Sequence, residues 1–97
     1  MYVVTVTFVV QDAQIEAFDR AMAAQARNSV AREAGCHRFN VCKDPDDAAR
    51  TFLYELYEDA EAFQGHLASP HFKDFDATVA PWLVSKEVET WTLAVSG

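Results

Sequence analysis

The chain has 97 residues, with eight Lys and Arg against fifteen Asp and Glu for a net charge of −7, and 51% of it is apolar. That length holds one domain, residues 1–97, and the aromatic and β-branched content excludes a disordered coil. With no basic excess to displace counterions from phosphates, a nucleic-acid partner is excluded too, whereas so apolar a small chain points to burial against a partner subunit.

Residues 2–10 read as a strand rich in Val and Thr. Val4, Val6, Phe8 and Val10 share one face, but Val3 and Val9 lie on the other, so this strand is expected to be covered on both sides. The stretch is too short to span a bilayer and has neither a basic n-region nor a cleavage site, so a cytoplasmic chain with no membrane partner is expected. Asp12 is the expected N-cap of a long helix ending near Arg32. On it Ile15, Phe18, Met22, Ala26 and Ser29 form one stripe, with Gln25 at the edge and Asn28 turned away. Gly35 then stops the helix.

Residues 37–43 and 51–58 read as two strands joined by the turn sequence Asp44-Pro45-Asp46-Asp47, an antiparallel hairpin. Cys36 and Cys42 stand about 20 Å apart along such a strand, at about 3.3 Å per residue, so two free thiols are expected rather than a disulfide. Asp59 caps a second helical segment, on which Phe63, His66 and Leu67 share the apolar face. Ser69-Pro70 restarts the helix, with Ser as N-cap and Pro in the first position. Phe72, Phe75, Val79 and Leu83 continue the stripe, His71 and Trp82 sit at its margin, and Pro81 ends it. Residues 86–95 supply a last strand.

The order β-α-β-β-α-β is the ferredoxin-like arrangement, an α+β fold with two helices on one face of a four-stranded antiparallel sheet. The strands are apolar on both sides, so the open face is expected to meet a second copy, giving a homodimer and a dimeric α+β barrel.

His66 is the first candidate for chemistry. A histidine on an apolar helix face is either a core residue bonded to a carbonyl or a base lining a helix–sheet pocket. Tyr54, with Phe52 and Leu56, falls on one face of the third strand, and Glu55 and Tyr57 on the other. Tyr54 is read as pocket-facing, able to orient a substrate oxygen, or else as plain packing. Glu55 is then assigned to the dimer-facing side as a structural carboxylate. A metal site on His66 and His71 is not expected, because a five-residue step across Pro70 does not align two side chains as i, i+4 would. His71 more simply lines a pocket mouth. Gln25 and Ser29 are the only polar groups on the buried part of the first helix, either pocket-lining or a solvated helix end. No glycine-rich phosphate loop or nucleophile elbow is present.

Two stretches carry a family resemblance. Residues 33–41, Glu-Ala-Gly-Cys-His-Arg-Phe-Asn-Val, and residues 52–72, with Phe52-Leu53-Tyr54-Glu55-Leu56-Tyr57-Glu58-Asp59, Ala62-Phe63 and His66-Leu67-Ala68-Ser69-Pro70-His71-Phe72, resemble the antibiotic biosynthesis monooxygenase (ABM) domain proteins. The resemblance implies a dimeric α+β barrel and a cofactor-independent monooxygenase that uses O2 on a small quinol or polyphenol. His66 and Tyr54 would then be base and orienter, with Phe39, Phe75 and Trp82 as pocket walls and Gln25, Ser29 and His71 as substrate-binding residues. A sub-pattern is similar to the autoinducer-2 degradation proteins, which implies the alternative of an isomerase of a phosphorylated carbonyl compound. Such a substrate wants a cation at the pocket, and Arg20, Arg27 and Arg32 all fall off the buried stripe of the first helix. A third reading is a non-catalytic small-molecule-binding dimer. The chain departs from the family pattern at Ala34, where Pro is usual, at Asn40, where Asp is usual, and at Gln25, where many members have Asn.

Overall fold

A computed structural model describes all 97 residues. Strand β1 (Tyr2–Val10) leads into helix α1 (Ile15–Arg32); β2 (Cys36–Asp44) and β3 (Asp47–Tyr57) form a hairpin. Helices α2 (Ala60–Ala68) and α3 (Pro70–Val79) follow, and β4 (Leu83–Thr92) completes the sheet. The strands are ordered β2-β3-β1-β4, every pair antiparallel, which is the expected ferredoxin-like arrangement.

Local chemistry explains most boundaries. Asp59 accepts the Ala62 N–H at 2.8 Å and opens α2, and the Ser69 hydroxyl accepts the Phe72 N–H at 3.2 Å and opens α3, with Pro70 in its first turn. Asp44 accepts the Asp46 N–H at 2.9 Å and tightens the hairpin turn. Asp12 does not cap α1: it begins a single 3₁₀ turn, Asp12–Gln14, and no side chain caps either segment. Gly35 follows α1 without a positive φ. A Cβ there would lie 2.6 Å from the Ala62 Cβ, so its role is to let the α1–β2 turn approach α2. β4 begins at Leu83 rather than 86 and ends at Thr92, so Leu93 and Val95 lie outside it.

The core lies between the sheet and the helices. Val4, Val6, Phe8 and Val10 of β1 face Phe18 and Met22 of α1, with Phe8 and Phe18 edge to face at 5.2 Å. The buried positions of α1 are Phe18, Met22, Gln25 and Ser29, so Gln25, expected at the edge of the stripe, stands at its centre.

Register fixes which side of each strand meets the helices. Val4 pairs with Glu55, Val6 with Leu53 and Tyr2 with Tyr57, whereas Thr5 pairs with Tyr54 and Thr7 with Phe52. Directly paired residues share a face. Glu55 and Tyr57 therefore point to the helices, and Tyr54 and Phe52 to the open face, the reverse of the expected assignment. Both cysteines are free, Cys36 buried and Cys42 exposed. An irregularity between Cys36 and Arg38 puts Cys36 opposite Tyr57 and Cys42 opposite Phe52, so the two thiols lie on opposite faces despite their even spacing. No helix is long and apolar enough to cross a membrane.

Candidate functional site

A cavity of about 40 Å³ lies between the sheet and all three helices. Val4, Val6, Leu53, Phe63, Phe39 and Phe75 line it, together with Lys86 and Val88 of the edge strand β4. Its polar groups are Gln25, Glu55, His66 and Lys86. The volume suits about three water molecules or the small end of a substrate.

Glu55 is 3% exposed and accepts the Tyr57 hydroxyl at 2.5 Å. Burial pushes its carboxyl up to about 7, against the pull of the Tyr57 hydrogen bond and with a further push from Glu33. Tyr57 is itself driven upward by burial and by the Glu55 charge, so its hydroxyl remains a donor. His66 is 3% exposed, and burial lowers its pKa despite the opposing pull of Glu33. Its Nδ1 stands 2.9 Å from Glu33 Oε2, which assigns the proton to Nδ1 and leaves Nε2 as the free acceptor of a neutral ring. The ring packs on Tyr57 and Phe72, centroids 5.4 and 5.0 Å away.

Lys86 is the one cation at the cavity. Its ammonium lies 5.6 Å from the Phe8 ring centroid and 5.8 Å from that of Phe72, with Asp76 at 3.6 Å. Gln25 Nε2 is buried without a hydrogen-bond partner, as is Ser29 Oγ one turn further along α1. Of the two, Gln25 lines the cavity and so presents an unpaired donor group there.

Of the residues singled out in the sequence, His66, Gln25, Phe39 and Phe75 line this cavity. Ser29 is fully buried beside it, and His71 faces a separate outer cleft. Two expectations are corrected. Tyr54 is on the open face of the sheet, so it and His66 do not meet, because β1 presents its valines to the Glu55 side of β3. Trp82 lies in the 3₁₀ turn before β4 and packs on the core margin, where its carbonyl accepts the Gln11 N–H at 2.9 Å, away from the cavity. The residues that sequence reasoning missed are Glu55, Tyr57, Lys86 and Glu33. Lys86 carried a signal: two positions before Val88, it shares that residue's face of β4.

Residues 1–78 match the family model described as antibiotic biosynthesis monooxygenase. The chain belongs to the ABM family. An isomerase of (4S)-4-hydroxy-5-phosphonooxypentane-2,3-dione from Escherichia coli (strain HS) is 33% identical over 73 residues, 75% of each chain. The Klebsiella pneumoniae protein of the same name is 46% identical over 41 residues, 42% of each chain. Among solved structures, a Nitrosomonas europaea protein carrying the ABM family name superposes with a TM-score of 0.93 at 29% identity, covering 98% of this chain and 100% of its own. Rv0793 from Mycobacterium tuberculosis shares the fold, with a TM-score of 0.90 at 21% identity over 98% and 96% of the two chains.

Proposed function

We propose that this ABM protein is an isomerase that relocates a proton within a small phosphorylated carbonyl compound, with Glu55 as the acid–base group. The observation that carries this reading is a buried carboxyl, held by the Tyr57 hydroxyl, in a cavity with a lysine at its edge. A carboxyl poised near neutrality takes and returns a proton at comparable cost, as a reversible isomerisation requires. Glu55 removes the proton from the hydroxyl-bearing carbon beside the carbonyl; the C–H electron pair becomes a new C=C bond and the carbonyl π pair moves onto its oxygen, giving an enediolate. Glu55, its proton exchanged with solvent in the meantime, then protonates the former carbonyl carbon, while the adjacent hydroxyl passes its proton to the enediolate oxygen and becomes the new carbonyl. The orphan Gln25 amide is a donor for the charged oxygen, and neutral His66 takes up or hands on a hydroxyl proton through Nε2. The phosphate stays at the β4 edge against Lys86 while the carbonyl end enters the cavity. The named activity of the 33% identical relatives supports the same substrate class.

Incubation with the phosphorylated pentanedione in D2O, followed by NMR, tests the reading. Isomerisation with deuterium incorporation is expected. Glu55→Gln should lower it by about 10²–10⁴-fold, and Lys86→Met should act mainly by raising KM. No turnover by the wild type, or an undiminished Glu55→Gln, overturns it.

One observation favours a second reading, the cofactor-independent monooxygenase. The cavity wall is mainly aliphatic and aromatic, which suits a quinol ring, with His66 Nε2 as the phenol's base. Oxygen uptake with dihydroxynaphthalenes that is lost in His66→Ala would establish it. We further propose that the open sheet face is covered by a second copy of the chain.

A further inference from the structure

Behind His66, on the side away from the cavity, lies a cleft of about 480 Å³ bordered by the α1–β2 turn and the α2–α3 junction. Glu33 at the end of α1, His66 in the last turn of α2 and His71 in the first turn of α3 converge there. Glu33 Oε2 is hydrogen-bonded to both His66 Nδ1 and His71 Nε2. We propose that Glu33, His66 and His71 form a binding site for a divalent cation of the zinc class, opening on this cleft.

The donor atoms, two imidazole nitrogens and a carboxylate oxygen, suit Zn²⁺ and its borderline neighbours. They lie within 4.8 Å of one another. Tetrahedral ligands at about 2.0–2.1 Å from a metal stand about 3.4 Å apart, so side-chain adjustment alone admits the ion. The five-residue step does not defeat the pairing, because the Ser69-Pro70 break re-aims α3 and both rings reach the same carboxylate. The ligand side chains are 12%, 3% and 8% exposed, yet the cleft leaves one direction open for entry and a fourth ligand. Arg32 borders the cleft and is exposed.

The site does not depend on the reaction proposed above. It does bear on His66: a metal on Nδ1 displaces that proton and leaves the neutral ring protonated at Nε2, toward the cavity.

The test is titration of EDTA-treated full-length protein with Zn²⁺ by calorimetry. One ion per chain is expected, with affinity lowered by about 100-fold or more in His71→Gln and in Glu33→Gln, since even loss of an outer-shell partner costs 10–100-fold. His37→Ala and Cys42→Ser, which remove an exposed imidazole and an exposed thiol elsewhere, should leave it unchanged. In case the ligand variants unfold, the wild type gives an independent readout. Zn²⁺ should shift the imidazole nitrogen resonances of His66 and His71 and not of His37, and Co²⁺ should give a spectrum without a thiolate charge-transfer band. Absence of saturable binding, shifts confined to His37, or affinity undiminished in folded His71→Gln overturns the proposal.

Discussion

At the scale of single residues, burial of Glu55 has opposite consequences for chemistry and for stability. In the unfolded chain its carboxyl ionises near 4.5, and in the folded protein burial holds it to about 7. Below pH 4.5 both states are protonated and the group is neutral in the balance. Between 4.5 and 7 the unfolded state releases a proton that the folded state keeps, so stability falls as pH rises through that window. Above 7 the loss is complete, at about 3 kcal/mol. Gln keeps an oxygen for the Tyr57 hydroxyl and never ionises. Glu55→Gln should therefore unfold at higher urea than the wild type at pH 8, match it near pH 4.5, and still lose isomerase activity. Urea titrations of both proteins at the two pH values check this. A variant less stable at pH 8 would mean that the ionised carboxylate holds the core together.

At the scale of elements, two glycines with different surroundings give opposite predictions. Gly35 stands where a methyl group would overlap the Ala62 Cβ, and both sides of that contact are backbone-borne. Gly35→Ala should cost about 1–3 kcal/mol, the range for overpacking. Gly65 lies inside α2 with open space where a Cβ would go, so Gly65→Ala should gain about 0.5–1 kcal/mol from helix propensity. Equilibrium denaturation of both variants checks the pair. The same contrast shows what was legible beforehand. Element order, hairpin, helix break and the caps Asp59 and Ser69 follow from local chemistry, and all are present. The face of β3 did not follow. Alternation sorts Phe52 and Tyr54 from Glu55 and Tyr57, but both sets contain aromatics, and only pairing with the valines of β1 decides which meets the helices. Glu33 was invisible for a related reason: its partners His66 and His71 are 33 and 38 positions away.

At the scale of the whole molecule, the open sheet face is what remains unexplained by a single chain. Phe52 and Trp91 are 40% and 52% exposed there, beside Tyr54 and Leu56, and the indole N–H of Trp91 is held by the Thr5 hydroxyl at 3.0 Å. Glu87, Glu89 and Arg38 share this face, so its apolar part is the patch around Phe52, Tyr54, Leu56 and Trp91, and an exposed patch of that kind is what the second copy proposed above would cover. Pairing two copies through it buries the patch twice over by symmetry. Light scattering at micromolar concentration should therefore give twice the chain mass, and Phe52→Glu with Trp91→Glu, which places four carboxylates in the interface, should give the chain mass. Cys42 reports the same event chemically, since it shares the open face with Phe52. Iodoacetamide should label it slowly in the wild type and rapidly in the double variant. Cys36 should stay silent in both, because burial pushes its thiol up to about 12 and leaves almost no thiolate to react. A wild type at the chain mass with a fast-reacting Cys42 would show that this face is bare in solution.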